Sequence, residues 1–337
     1  MCGMICLFPL PRTGQGTEGR HNMPSFKGRM LSFVLACPTL CSAFVCARRS
    51  LSSLDVGRTT KMSAAVTGRL ADKVYLVTGS TDGIGKHTAS RLAEEGATVL
   101  VHGRREAAVR EAVEHVGGGK GKVEGIVADL SSLRGANHLC DEVLRRTDRL
   151  DCLLNNAGVF EADFRHSDDG LEYTFAVNVL APYVITGRLL DLLGKAPGGG
   201  RVVNVASLSA SYSLDFDNLQ FEKGGYSDHA SYSLSKLLDI MFNAELARRA
   251  PKGVTCNSLD PGTVNTKMLR AGWGMGGIPV KSANDQFYLA TSDDVSDSSG
   301  EYYVSRRVTT PPPPAEDDEA CRRLWGVLEE LSGFSYA

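Results

Sequence analysis

The stretch Lys73-Val-Tyr-Leu-Val-Thr-Gly-Ser-Thr-Asp-Gly-Ile-Gly-Lys86 decides the fold of this chain. An apolar run ends at Thr78, glycines follow at positions 79, 83 and 85, and a helical pattern begins at Ile84. Glycines at a strand-to-helix turn let the backbone approach a pyrophosphate group closely, and the helix N-terminus offers free N–H groups to that phosphate. The stretch therefore predicts a dinucleotide-binding turn, although its spacing is Gly-x3-Gly-x-Gly and not Gly-x-Gly-x-x-Gly.

Apolar runs and helical patterns alternate through the rest of the chain. Strands are predicted at residues 73–78, 98–102, 123–128, 151–155, 201–206, 254–259 and 300–304. Helices are predicted at residues 84–95, 105–116, 131–146, 168–193, 228–249, 281–291 and 316–332. About seven strands with intervening helices indicate a single α/β domain, a Rossmann-type doubly wound parallel sheet with helices on both faces. In such a sheet, ligands bind at the carboxyl ends of the strands.

A tyrosine and a lysine lie four residues apart in Tyr232-Ser-Leu-Ser-Lys236. At this spacing the two side chains share one helix face. A free phenol has a pKa of about 10, and an ammonium group beside it lowers that pKa. The pair is a candidate acid–base device, while a core tyrosine beside a surface lysine is the alternative interpretation.

These residues and others in the same order resemble the short-chain dehydrogenase/reductase family over roughly residues 70–333. The long segment between Ser207 and Tyr232 and the tail at residues 323–333 resemble retinol-dehydrogenase-like members. The resemblance implies four catalytic residues, which are Asn178, Ser207, Tyr232 and Lys236. It implies cofactor-binding residues along the chain, which are Gly79, Ser80, Thr81, Asp82, Gly83, Ile84, Gly85, Arg104, Asp129, Leu130, Asn156, Ala157, Gly158, Tyr232, Lys236, Pro261, Gly262 and Thr266.

The end of the second predicted strand reads Val101-His-Gly-Arg-Arg105 and carries no acid. NAD enzymes place an acid there for the ribose 2′-OH, whereas guanidinium groups suit a 2′-phosphate. NADP(H) is therefore favoured over NAD(H). Asp82 argues against NADP(H), because NADP-using members often carry a basic residue at that position. Solvated charge at a helix start is the alternative interpretation for Arg104 and Arg105.

The resemblance implies an NADP-dependent carbonyl reductase or alcohol dehydrogenase. Tyr232 would donate a proton to a carbonyl oxygen as hydride arrives, and Ser207 would hydrogen-bond that oxygen. Lys236 would lower the pKa of Tyr232 and contact the nicotinamide ribose, and Asn178 would hold a water through its backbone or side chain. A different class of function also fits, which is a catalytically weak dinucleotide-sensing protein of an organellar assembly.

Residues 267–279 combine Met268, Leu269, Trp273 and Met275 with several glycines. Flexible apolar residues beside glycines favour a mobile lid over a small hydrophobic substrate. An ordinary connecting loop is the alternative. Retinal, another isoprenoid or fatty aldehyde, a steroid-like ketone and a xenobiotic carbonyl would all fit such a site.

Composition agrees with a soluble enzyme, since 42% of the 337 residues are hydrophobic and 23% are charged. The formal net charge of −2 gives no indication of nucleic-acid binding. Nine cysteines are present, yet the sequence has no Cys-x-x-Cys and no His/Cys metal spacing, so no metal site is predicted. Family members commonly pair through the helices predicted at 168–193 and 228–249, which suggests a homodimer.

Residues 1–61 form a predicted leader, and residues 62–337 form the predicted enzyme domain. The leader has eight Lys or Arg residues against two acids and is rich in Ser and Thr, as transit peptides to a mitochondrion or chloroplast are. An apolar run at 31–46 also fits a secretory signal or a membrane anchor. A third alternative is an untargeted cytoplasmic protein whose true start is Met62.

Overall fold

The computed structural model describes residues 68–274 and 276–336. The strands are β1 (Val74–Val77), β2 (Thr98–Gly103), β3 (Val123–Val127), β4 (Cys152–Asn155), β5 (Gly200–Val205), β6 (Val254–Asp260), β7 (Tyr302–Val304) and β8 (Arg307–Val308). The helices are α1 (Gly83–Glu94), α2 (Glu106–Val116), α3 (Leu133–Arg146), α4 (Tyr173–Phe175), α5 (Ala181–Gly194), α6 (Asp228–Arg249), α7 (Lys267–Trp273), α8 (Asp285–Thr291), α9 (Pro313–Glu316) and α10 (Asp318–Ser332).

All eight strands form one sheet in the order β3-β2-β1-β4-β5-β6-β7-β8. The first seven strands are parallel, and β8 pairs with β7 in the antiparallel direction. Tyr75 of β1 lies opposite Val99 of β2 on one side and Cys152 of β4 on the other. The strand order therefore reverses beside β1, and ligands of doubly wound sheets bind in the crevice at such a switch point. The predicted fold class is confirmed.

Each face of the sheet is covered by helices that bury apolar side chains. On one face, Leu139 of α3, Leu189 of α5 and Leu238 of α6 belong to a cluster of fully buried residues. On the other face, Leu92 of α1 and Phe287 of α8 pack with the side chains of β1 and β2. Two apolar layers hold the sheet between them, so the strand ends that build the site have little freedom to move.

The helix predicted at residues 168–193 begins at Tyr173, five residues late. Gly170 has a φ of +79°, and its N–H group bonds to the Ser167 carbonyl, so the chain turns here and cannot yet be helical. The carboxylate of Glu172 then caps α4 by accepting hydrogen bonds from the N–H groups of Thr174 and Phe175. Between α4 and α5, residues 176–180 are π-helical, an interruption that apolar periodicity did not reveal.

Three other features differ from the prediction. The helix predicted at 281–291 begins at Asp285, because residues 280–282 form a separate 3-10 turn. The strand β8 was missed, since a two-residue strand is too short to show alternation. Within the segment expected to be a lid or a loop, residues 267–273 form the short helix α7.

The helix running from Tyr173 to Gly194 is long and apolar enough to span a membrane by length and composition. Most of it is buried inside the fold, as in the core helix of a globular domain. Its outer side is covered by the chain's last described residues. The Tyr183 hydroxyl donates to the Phe334 carbonyl at 3.1 Å, and the Tyr336 hydroxyl donates to the Tyr183 carbonyl at 2.7 Å.

Some of the sequence predictions concern residues or contacts beyond this description. The predicted leader at residues 1–61 and the boundary at Met62 lie outside the described residues, as does Met275. Homodimer formation and targeting to an organelle or membrane therefore stay predictions.

Candidate active site

The glycine turn between β1 and α1 adopts backbone conformations that side chains rarely tolerate. Gly79 has a φ of +64° and Gly83 has a φ of +57°. A Cβ atom on Gly79 would lie 2.7 Å from the Cα of Ala157, and one on Gly85 would lie 2.3 Å from the Asn156 amide nitrogen. The turn is thus packed directly against the loop that follows β4.

Asn156 fastens this loop to the turn. Its amide nitrogen donates to the carbonyls of Thr78 and Gly79 at 2.7 and 3.2 Å. The Thr78 hydroxyl in return accepts from the N–H groups of Asn156 and Ala157, both at 3.0 Å. The amide of Gln286 on α8 donates to the Asn156 side-chain oxygen at 2.8 Å. Gln286 is a positioning residue that no local sequence signal indicated.

His102 at the end of β2 holds the turn from the opposite side. The Gly79 N–H donates to Nδ1 of His102 at 3.1 Å, so the other ring nitrogen, Nε2, carries the proton and donates to the Ala128 carbonyl at 3.1 Å. Burial lowers the pKa of His102 to about 4, although the Ala128 carbonyl and Asp129 counter this. The ring is therefore neutral, and it links the ends of three adjacent strands.

A cavity of about 350 Å³ opens at the carboxyl ends of the central strands. Its lining includes every predicted cofactor-binding residue except two, namely Gly79, Thr81, Asp82, Gly83, Ile84, Gly85, Arg104, Asp129, Leu130, Asn156, Ala157, Gly158, Tyr232, Lys236, Pro261 and Thr266. The exceptions are Ser80 and Gly262. The Ser80 side chain is fully buried and bonds to Val77 and His102, so it supports the turn from beneath. The N–H group of Gly262 is held by Asp260 at 2.8 Å.

Arg104 and Asp129 lie on the side of the cavity formed by β2 and β3. The Arg104 guanidinium donates to the Tyr173 hydroxyl at 3.2 Å while the residue stays exposed. Asp129 accepts a hydrogen bond from the Ser131 N–H at 3.0 Å and so turns the chain toward α3. A cation thus lies where an NAD enzyme would present an acid.

Tyr232 lies at the inner end of the cavity and is only 7% exposed. Burial raises its pKa, and it outweighs the lowering effects of Lys236 and of a hydrogen bond with Ser207. The sequence predicted a net lowering by Lys236. The lysine acts in that direction, with Nζ 5.7 Å from the centre of the Tyr232 ring, but desolvation is the larger effect.

Asn178 lies in the π-helical segment, and its side chain is already engaged. Its amide oxygen accepts from the Val159 N–H at 2.8 Å, and its amide nitrogen donates to the Val159 carbonyl and the Ser235 hydroxyl. These bonds hold the Asn178 side chain against Val159 and α6, and the water that Asn178 was expected to hold stays a prediction.

Aromatic side chains pack around Tyr232. Phe160 lies 5.6 Å and Trp273 lies 5.4 Å from the Tyr232 ring, measured between ring centres. His229 contacts both Phe160 and Trp273 at their edges. A Cβ on Gly272 would lie 3.0 Å from the Phe160 ring, so helix α7 packs tightly here. The predicted substrate-facing segment reaches the site through Trp273 and through Met268, which lines the cavity.

Two buried carboxylates near this site escaped the sequence analysis. Asp239 lies 2.8 Å from the Lys236 ammonium group. Asp260 accepts hydrogen bonds from the N–H groups of Leu208 and Gly262, each at 2.8 Å, and so ties the loop that carries Ser207 to the end of β6. Spacing offered a signal for both, since Asp239 follows Lys236 by three helical residues and Asp260 directly precedes Pro261-Gly262.

Comparisons with known proteins agree with this geometry. Residues 73–273 match the family model described as short chain dehydrogenase. Retinol dehydrogenase 14 of Mus musculus is 34% identical over 294 residues, covering 79% of this chain and 87% of that protein. Polyprenol dehydrogenase of Homo sapiens is 30% identical over 283 residues, covering 78% and 86%.

Among solved structures, the active-site complex of RhlG with NADP from Pseudomonas aeruginosa is similar to this chain. The TM-score is 0.58 at 26% sequence identity, and the match covers 70% of this chain and 95% of that one. The relatives thus span most of the described domain, including the glycine turn and the Tyr232 region.

Proposed function

The chain belongs to the short-chain dehydrogenase/reductase family, in its retinol-dehydrogenase-like group, and from this premise we propose an NADP(H)-dependent activity that interconverts a carbonyl and an alcohol. The substrate in this proposal is small and hydrophobic. One observation supports it above the others, which is that the glycine turn and the Tyr232–Lys236 pair line the same cavity. A dinucleotide held by the turn would lie beside a proton donor.

The residues present fit NADP(H). Gly79, Gly83 and Gly85 line the cavity where α1 begins, and the free N–H groups at this helix N-terminus suit a pyrophosphate. Arg104 offers a guanidinium group for the 2′-phosphate at the end of β2. The cofactor, when bound, supplies or accepts the hydride.

The side chains at the inner end of the cavity carry the proton chemistry in this proposal. Burial keeps Tyr232 protonated, so the phenol can donate its proton to the oxygen of a carbonyl substrate. The Ser207 hydroxyl hydrogen-bonds the same oxygen and stabilises its developing charge. In the alcohol-oxidising direction Tyr232 accepts the proton, and the Lys236 cation favours the phenolate that must form.

The proposed substrate class follows from the apolar side chains near Tyr232. Phe160 and Trp273 pack against the Tyr232 ring, and Met268 gives the cavity wall a flexible apolar side chain. Such a wall gains free energy by excluding water from an apolar substrate and offers little to a strongly polar one. Apolar aldehydes and ketones are therefore the proposed substrates.

The test is NADPH oxidation by the full chain with medium-chain aldehydes, retinal, diketones and quinones, and NADH is the comparison cofactor. We expect turnover with NADPH, and a loss of about 10²- to 10⁴-fold in Tyr232→Phe while NADPH affinity stays unchanged. Equal turnover by Tyr232→Phe would overturn the assignment of the proton donor. Tight NADPH binding without turnover on any class would instead favour the dinucleotide-sensing protein.

A further inference from the structure

Helix α6 carries a third ionisable side chain in line with the Tyr232–Lys236 pair. Tyr232, Lys236 and Asp239 are spaced i, i+4 and i+7, so they form a row along one helix face. The Lys236 and Asp239 side chains are each 6% exposed, and Nζ lies 2.8 Å from Oδ2. This ion pair is buried at the inner end of the cavity, and the proposed proton chemistry does not use its carboxylate.

We propose that Asp239 is a positioning residue that holds the Lys236 ammonium group in place and sets a negative charge on the helix face shared with Tyr232. The inference rests on the proposed function of the same site. It adds an anionic partner whose effect opposes that of the lysine.

The hydrogen bonds of Lys236 give the first part of the argument. An ammonium group has three N–H donors on a flexible four-carbon stem. One donates to the Val205 carbonyl and one to Asp239, each at 2.8 Å. The two bonds fix Nζ between β5 and α6 and leave the third donor for the cavity that Lys236 lines. Without Asp239, a single bond would hold the stem, and Nζ could turn away from its place.

The charges of Lys236 and Asp239 connect this ion pair to Tyr232. Burial by itself would lower the pKa of Lys236, but Asp239 and Tyr232 outweigh it, so the net direction is upward and the ammonium group stays charged. Burial raises the pKa of Asp239 to about 6, although Lys236 opposes this. Asp239 is thus ionised at neutral pH, and its negative charge raises the pKa of Tyr232.

The other groups that face this row are few in the part of the chain that the structure describes. Asp260 at the end of β6 also raises the pKa of Tyr232, and the Ser207 hydroxyl after β5 lowers it. The Val205 carbonyl and the Asn178 amide, which bonds to Ser235 on the same helix, are neutral. Removing the charge of Asp239 while keeping its shape should therefore make Tyr232 more acidic.

The first experiment compares Asp239→Asn with Glu245→Gln in the full chain. Glu245 is a matched control, because it is also a buried carboxylate of α6 and is paired with Arg248 and Arg249 outside the cavity. In Asp239→Asn we expect the pH profile of alcohol oxidation to move about one pH unit toward acid. Glu245→Gln should keep the original profile even if its melting temperature falls. An unchanged or alkaline-shifted profile in Asp239→Asn, or an equal shift in both variants, would overturn the proposal.

A second variant and a direct titration separate this inference from the proposed function. Asp239→Ala removes the acceptor as well as the charge, and kcat should fall by about tenfold or more. Retention of full kcat would contradict the positioning role. The ionisation of Tyr232 itself can be followed by phenolate absorbance, as the difference between each protein and its Tyr232→Phe form. An acid shift in Asp239→Asn supports the inference even if no substrate turns over, and the lack of a shift rejects it even if turnover is found.

Discussion

The Lys267 ammonium group and the Asp82 carboxylate lie 2.6 Å apart at the mouth of the cofactor cavity. Asp82 caps α1 at the glycine turn, and Lys267 is the first residue of α7. The hydrogen bond from Lys267 is the main reason why the pKa of Asp82 is lowered. The pair joins the glycine turn to the helix that carries Trp273, and in the proposed complex it would neutralise an acid beside the cofactor's phosphate groups.

Lys267→Met should therefore weaken NADPH binding. The change leaves the Asp82 charge uncompensated beside the proposed pyrophosphate position, and we expect the Kd to rise roughly fivefold, since exposed pairs contribute at most about 1 kcal/mol. The measurement is a fluorescence titration of each variant with NADPH. The double variant Asp82→Asn/Lys267→Met should regain most of the lost affinity, and equal Kd values for the single and double variants would contradict this explanation.

Arg104→Ala should change cofactor preference. Loss of a charge-assisted hydrogen bond to the 2′-phosphate costs about 1.5–3 kcal/mol, so the KM for NADPH should rise about 10- to 100-fold. The KM for NADH should change far less, because NADH has no 2′-phosphate. Arg105→Ala is the control, since Arg105 is an exposed neighbour outside the cavity lining. An equal loss with both cofactors would show that Arg104 supports the fold and does not select the cofactor.

His102 should make the fold sensitive to acid. Its pKa is about 4 in the folded chain and about 6.5 when unfolded, so the unfolded state binds more protons between these pH values. The neutral ring therefore makes its full contribution to the free energy of unfolding above about pH 6.5. This contribution, about 3 kcal/mol in all, is lost as the pH falls toward 4.

Urea unfolding as a function of pH measures this loss, with His102→Gln as the comparison, because a glutamine amide can accept from Gly79 and donate to Ala128. Asp239 has a raised pKa, so its effect on stability over this pH range is opposite to that of His102. The difference in unfolding free energy between the two proteins therefore isolates the contribution of the imidazole. If the unfolding free energies of the two proteins changed with pH in parallel, His102 would not be the source of the acid sensitivity.

Gly187→Ala should destabilise the fold without touching the cavity. The added Cβ would lie 2.3 Å from the Phe334 ring and 2.6 Å from the Tyr336 ring, so the tail must shift, at a cost of about 1–3 kcal/mol. Gly326→Ala is the matched control, since Gly326 lies in α10 with open space around it and should gain about 0.5–1 kcal/mol. Thermal unfolding measures both variants. A stable Gly187→Ala protein would mean that the tail packs less tightly than described.

The sequence predicted the site best where chemistry depends on local spacing. Gly79 and Gly83 indicate the turn because their positive φ angles disfavour other residues, and Gly85 because a Cβ would meet Asn156. Tyr232 and Lys236 share a helix face by spacing alone. The sequence could not show that burial would dominate the pKa of Tyr232, since desolvation depends on packing around the finished site. The catalytic and cofactor roles themselves stay predictions.

Local sequence patterns could not predict the contacts between segments that are distant along the chain. Gln286 bonds to Asn156, which lies 130 residues earlier in the chain, and the sequence next to either residue does not predict this contact. The π-helical turn at Asn178 keeps the apolar periodicity of its flanks, so no break in the pattern marks it. Residues 267–273 of the segment 267–279, predicted to be a lid or a loop, form a helix. Its N-cap is Thr266, which accepts from the Leu269 N–H and for which the sequence indicated only a cofactor role.

Strand β1 pairs with β4 through Tyr75 and Cys152, and only this pairing brings the glycine turn against Ala157 and Asn156. Closing so long a loop costs entropy before its contacts repay it, so distant parallel strands pair slowly during folding. A cofactor that needs this surface should therefore bind only after the slow pairing step. Its binding should lengthen the lifetime of the native state by slowing unfolding, and it should leave the rate at which the chain folds unchanged.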